Sequence, residues 1–164
     1  MVYTKLSATL APANKVRGIA PWVRLVREKP ALESVTKENI AIGSPAGAAR
    51  LIGPALEREE VEVVIVLCLN TQRNVIAQVE VTRGILNASL IHPREVFRVA
   101  IALGANSIIV AHNHPSGIVT PSAEDFTVTK NLLEAGKLLD IPLVDHIIIG
   151  TNGKYLSFVE EGLM

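Results

Sequence analysis

The segment His112-Asn113-His114-Pro115-Ser116-Gly117, followed by Ser122-Ala123-Glu124-Asp125, contains the residues of this sequence best suited to chemistry. Side chains of an extended segment alternate between two faces, so His112 and His114 project to the same side, their Cα atoms ~6–7 Å apart. Two imidazoles at that separation can converge on one ion, each at ~2.0–2.1 Å. Asp125 falls on the first turn of the next helix, and the stiff Pro115-Ser116-Gly117 and Thr120-Pro121 segments let the chain fold back to present it. Two imidazoles and a carboxylate leave a fourth position open for water, the arrangement of a catalytic rather than a structural zinc. Such an ion brings the pKa of its water to near ~7, and a nearby carboxylate can then pass the proton to a leaving amine.

Each part also has a plainer reading. His112 and His114 alone are compatible with polar residues in a surface loop, and Ser122 with an acid three residues later is a helix-start signature. The two readings are compatible, because a capped helix start would fix the loop that presents Asp125. What singles the region out is the combination of His112, His114, Ser122 and Asp125 at their spacing.

Several elements must position those residues. Ser44-Pro45, an N-cap followed by Pro at the first helical position, opens a helix carrying Ala49, Leu51, Ile52 and Leu56 at helical spacing. Glu62 to Leu69 reads as a strand too apolar to be exposed on both faces, and Val75 to Val81 returns from a turn at Asn70–Asn74 as its hairpin partner. His92-Pro93 leads into a second helix, ended by Gly104 and Asn106, and Ser107 to Ala111 is a short buried strand running into the histidines. A third helix spans Ser122 to Leu139 and stops before Pro142. Val144 to Ile149 and Tyr155 to Val159, joined by a turn at Asn152-Gly153, close the chain as a second hairpin. Helices interleaved with hairpins and single strands predict a mixed sheet covered by helices. Residues 1–20 show little periodicity and read as an arm preceding one domain over 21–164; Val23 to Val26 reads as a short strand, and Trp22 as an anchor for the arm.

The spacing His-x-His, seven residues, Ser, two residues, Asp resembles the JAMM motif of the JAB/MPN metalloprotease superfamily. The runs Arg83 to Phe97, Ala111 to Gly117 and Asp145 to Gly150 resemble its RadC branch, and the likeness covers about residues 21–160. The resemblance implies a three-layer α/β/α sandwich around a mixed β-sheet, cytidine-deaminase-like in arrangement, with one Zn2+ per chain held by His112, His114 and Asp125. It implies hydrolysis of an amide or isopeptide bond in a protein or peptide substrate. Ser122 would hydrogen-bond the metal water or the developing oxyanion, and Glu62, at the start of the strand after the first helix, would be the general base, with Glu60 as the fallback. His92, Arg94 and Glu95 lie in the most RadC-like stretch but read as a helix start. His146 reads as a satisfied strand-end histidine, with an Asp145-His146 pair that orients a metal ligand as the alternative.

Composition narrows the rest. Lys plus Arg equals Asp plus Glu, 16 against 16, which argues against binding nucleic acid by bulk electrostatics, although residues 1–30 carry six basic residues against Glu28 alone. Residues 1–20 are too short for the helix-hairpin-helix region of longer RadC proteins, which puts a direct DNA-repair role in doubt. Cys68 is the single cysteine, so no intramolecular disulfide forms, which fits a reducing cytoplasm, and base deamination lacks its Cys-x-x-Cys. No apolar run approaches the ~20 residues that span a bilayer, and no secretory signal is evident. A zinc-stabilised interaction module associated with DNA processing is the rival to the hydrolase, and a homodimer is compatible with the sequence.

Overall fold

The computed structural model describes residues 40–84 and 91–164. The arm at 1–20, Trp22 and the strand expected at Val23–Val26 lie outside the described residues. Helix α1 (Pro45–Leu56) begins where Ser44 accepts from the Gly47 amide at 3.2 Å and Pro45 supplies a fixed φ. Strand β1 (Val63–Leu69) is buried along its whole length, as its unbroken Val, Ile and Leu run requires. Asn70 then accepts from the amides of Gln72 and Asn74, both at 2.9 Å, and this side-chain-built turn sends the chain back as β2 (Val75–Arg83). Helix α2 (Pro93–Leu103) stops at Gly104, whose φ of 65° is left-handed. Strand β3 (Ser107–Asn113), helix α3 (Ala123–Leu139), strand β4 (Leu143–Ile149) and the short β5 (Tyr155–Ser157) complete the order.

The five strands form one sheet in the order β2-β1-β3-β4-β5. Only β3 and β4 run parallel, and α3 makes the crossover between them; the other pairs are antiparallel. Alternation along β1 divides the core. Val64, Val66 and Cys68 face α2 and α3, meeting Val96, Phe97, Ala100, Val128 and Leu132. Val63, Ile65, Leu67 and Leu69 face α1, meeting Ala48, Ala49, Ile52 and Leu56. The fold is therefore an α/β/α sandwich, with a buried apolar layer on each side of a mixed sheet. Among the described residues no helix is long and apolar enough to cross a membrane.

The boundaries depart from expectation in informative places. Strand β3 continues past Ala111 through His112 and Asn113. Val64 of β1 pairs with His112 on one side, while Ile148 and Ile149 of β4 pair with His112 and Asn113 on the other, so the sheet keeps these residues extended. Strand β2 runs two residues beyond Val81, to Arg83. Strand β5 ends at Ser157, short of Val159, because the Val159 amide turns inward to Asp145 Oδ1 at 3.2 Å. His146 lies in the middle of β4, not at a strand end.

Candidate metal centre

The centre forms where β3, β4 and the start of α3 meet. His112 and His114 share a face because β3 is held extended up to the Pro115 turn, and His114 itself donates its amide to the Ile149 carbonyl at 3.0 Å. The turn beyond packs tightly on the end of β4: a Cβ on Gly150 would come within 2.7 Å of the Gly117 carbonyl oxygen. Gly117 itself has a φ of 76°, a conformation that glycine adopts without penalty. Asp125 arrives through a capping box. Ser122 Oγ accepts from the Asp125 amide at 3.1 Å, and Asp125 Oδ2 accepts from both the Ser122 amide and its hydroxyl at 2.7 Å. The sequence pattern that signals a helix start is thus the device that aims the carboxylate.

The result is a compact cluster. His112 Nε2 lies 3.1 Å from His114 Nε2 and 3.1 Å from Asp125 Oδ1, and His114 Nε2 lies 3.5 Å from Asp125 Oδ2. Hydrogen-bond logic fixes what these atoms carry. Thr129 Oγ1 donates its one proton to the Asp125 carbonyl at 2.7 Å, so toward His146 Nδ1, 2.6 Å away, it can only accept. His146 therefore bears its proton on Nδ1, and burial, helped by the neighbouring His112, pushes its pKa down to about 3, so it is neutral. Its Nε2 must then accept from His112 Nδ1, 2.9 Å away. That leaves His112 Nε2 with a bare lone pair. His114 Nδ1 donates to the Ile118 carbonyl at 2.6 Å, so neutral His114 also presents a bare Nε2.

Two lone pairs and a carboxylate oxygen thus converge, all three ligand atoms within 4.8 Å of one another. Such a set repels itself unless a proton or a cation sits among its members. A tetrahedral ion ~2.0–2.2 Å from each donor would hold them ~3.4 Å apart. The two imidazole nitrogens, 3.1 Å apart, are close to that spacing, and each has one of the two Asp125 oxygens within 3.5 Å, so His112, His114 and Asp125 form a group able to bind a metal ion. The Asp125 carboxylate, against burial and with help from the Ile118 carbonyl, raises the His114 pKa. Burial works against the Asp125 charge, but the neighbouring imidazoles of His112 and His114 outweigh it and hold that carboxyl well below the usual range.

A cleft of about 200 Å³ opens beside the cluster, lined by Glu62, His114, Ser122, Glu124 and Asp125 with Ile91 and Val128 as its apolar wall. Glu62 directly precedes β1 and is half-buried; burial pushes its carboxyl up and Asp125 adds to this, while His112 and His114 oppose it. Glu60 is exposed and lies outside this lining. A larger hollow of about 250 Å³ lies between α1 and the β4–β5 turn, against Arg50, Glu57 and Tyr155, apart from the histidines. His92 caps α2 through its backbone, and Glu95 pairs with Arg94 and Arg98 at 3.3 and 3.0 Å, so that stretch builds a helix start. Burial raises the Cys68 thiol to about 11, leaving it an inert packing group.

Sequence reasoning ranked His146 below its place in the structure, where it orients His112. Asp145 does not reach that imidazole ring. Its carboxylate accepts from the His146 and Val159 amides and the Ser157 hydroxyl instead. Thr129 was missed altogether, although its position four residues after Asp125 on α3 is the signal that would have found it.

Comparison with known proteins places this geometry. The RadC-like JAB domain model matches residues 42–163, a span that includes the ligand cluster and Glu62. A UPF0758 protein of Staphylococcus epidermidis is 50% identical over 127 residues, covering 77% of this chain and 56% of the relative. A UPF0758 protein of Desulforamulus reducens is 40% identical over 164 residues, covering 96% and 71%. One from Methanosarcina barkeri is 40% identical over 150 residues, covering 92% and 64%. The chain thus spans little more than half the length of the staphylococcal relative. Over the part it does span, the chain belongs to the RadC-like JAB domain family.

Proposed function

We propose that the protein is a zinc-dependent amide hydrolase acting on a peptide or isopeptide bond of a protein or peptide substrate. The observation that supports this most is the convergence of three metal-ligating side chains, His112, His114 and Asp125, beside an open cleft that also receives Glu62. These three residues would hold the ion. When bound, zinc supplies a Lewis acid that polarises the scissile carbonyl and acidifies a water molecule. Glu62 is the base in this reading: its carboxylate takes the proton of the attacking water and delivers it to the departing amine nitrogen. A carboxyl raised by burial suits both halves of that task, because it holds the proton more readily than an exposed Glu would.

Ser122 has two parts to play. Its hydroxyl donates to Asp125 Oδ2 and so orients a ligand; rotated toward the cleft, it would donate to the developing oxyanion, an interaction worth about 2–4 kcal/mol in the barrier. The cleft wall of Ile91 and Val128 would exclude water from the reacting bond. The inert Cys68 suits a reducing cytoplasm, the compartment we assign.

Metal content by plasma mass spectrometry, wild type beside His112→Ala, is the first test. About one zinc in the wild type and almost none in the variant is the expected result. A folded wild type that takes up no zinc when it is supplied would overturn the reading. With zinc established, Glu62→Gln should abolish turnover of peptide-amide and isopeptide libraries while zinc content stays at the wild-type level.

A further inference from the structure

We infer that Asn113, the residue between the two histidines, is a positioning residue that fixes Glu62 to the metal-binding strand through hydrogen bonds to the backbone on both sides of it. The inference rests on the reading of Glu62 as the base. Asn113 is 2% exposed, and its side chain leaves β3 on the face opposite His112 and His114. Its Oδ1 accepts from the Val63 amide at 2.8 Å, one residue after Glu62. Its Nδ2 donates to the Val61 carbonyl at 3.0 Å, one residue before Glu62, and to the Glu59 carbonyl at 3.3 Å. The partners fix the orientation of the amide, because an N–H needs the oxygen and two carbonyls need the nitrogen.

The geometry explains why a side chain does this work. The β1–β3 ladder ends at the pair Val64–His112. One step further, the carboxamide of Asn113 takes the place of a peptide group and carries the pairing out to Val63, Val61 and Glu59. On the other edge, the Glu62 carbonyl accepts from the Gly84 amide at 2.8 Å. Glu62 is thereby held from both sides, and alternation from Val63, which faces α1, turns its side chain to the face that carries His112. Leu or Ala at position 113 would leave the His-x-His spacing intact. Only an amide of this length offers one acceptor and two donors to residues 59–63. The position of the base relative to the ligands is thus encoded inside the ligand motif itself.

Backbone hydrogen exchange and a carbon-13 titration of the Glu62 carboxyl, on the full chain with and without zinc, test this without a substrate. In Asn113→Ala the Val63 amide should exchange about tenfold faster than in the wild type, while the amides of β3 and β4 keep their protection. In metal-free Asn113→Ala, Glu62 should titrate closer to an exposed Glu, because its carboxyl leaves the half-buried position. Zinc should still bind at one per chain. Asn113→Leu, which fills the volume without bonding, should behave like the alanine variant, and it serves if alanine disturbs folding. An unchanged Val63 exchange rate with an unchanged Glu62 titration overturns the inference. Loss of protection throughout β3 and β4 also overturns it, since Asn113 would then support the whole sheet. Failure of the base assignment reads differently: Glu62→Gln would keep its turnover while the exchange result stood.

Discussion

Asp125 and Asp145 are both buried, yet their carboxyls shift in opposite directions. Asp145 stands on β4 with three fixed donors around it, the amides of His146 and Val159 at 2.8 and 3.2 Å and the Ser157 hydroxyl at 2.7 Å. Burial still pushes its carboxyl up, against those bonds. Asp125 is held well below the usual range by the imidazoles in spite of its burial, and its Oδ1 lies 3.1 Å from His112 Nε2. Around Asp145 donors match acceptors and the group is complete. Around Asp125 acceptors are in excess, and the group calls for a cation. The balance of donors and acceptors, rather than burial or formal charge, separates a structural carboxylate from one that could hold a metal ion.

The comparison can be broken in three places. Asp145→Ala should have the largest effect, because it leaves two amides and a hydroxyl without an acceptor; a loss of about 2–4 kcal/mol in urea unfolding is expected. Zinc stoichiometry of the folded chain should not change, and a parallel loss of zinc affinity would show that the two clusters are one. His146→Leu should leave His112 free to turn and weaken zinc binding by about 10–100-fold, read by competition with a chromophoric chelator. His146→Gln, with an acceptor of similar reach, should recover part of that; equal affinity in all three proteins would refute the orienting role.

The smallest effect concerns Glu62. Its folded carboxyl titrates above the ~4.3 of the unfolded chain, so the burden of its buried charge is present above the folded value and absent below ~4.3. Glu62→Gln should therefore raise the Tm of the metal-free protein by about 1–3 °C at neutral pH, modestly because the group is only half-buried. The gain should vanish as the pH falls through ~4.3. A difference that persists in acid would mean that charge burial is not its cause.

How much of this was legible beforehand follows the range of each interaction. The helix starts at Ser44-Pro45 and at Ser122, the buried run Val63–Leu69 and the turn at Asn70 were readable because caps, periodicity and turn chemistry act within a few residues. The clustering of His112, His114 and Asp125 was readable for the same reason, since Asp125 follows His114 by one loop and one capping box. His146 pairs with His112 across 34 residues, and Asn113 reaches back 50 residues to Val63. Neither contact leaves a local trace, because strand register creates both. The extension of β3 through Asn113 was hidden likewise: it is the neighbouring strands that hold those residues extended.

The chain of contacts from Asp125 returns to Asp125. Its carboxylate meets His112, His112 meets His146, His146 meets Thr129, and Thr129 closes on the carbonyl of Asp125 itself. A closed circuit through two strands and one helix has no slack at any single joint, so the first turn of α3 cannot slide without disturbing His112 and Asp125 together. Departure of an ion held there would then be coupled to undocking of that turn, and the helix would act as the latch of the site it helps to build.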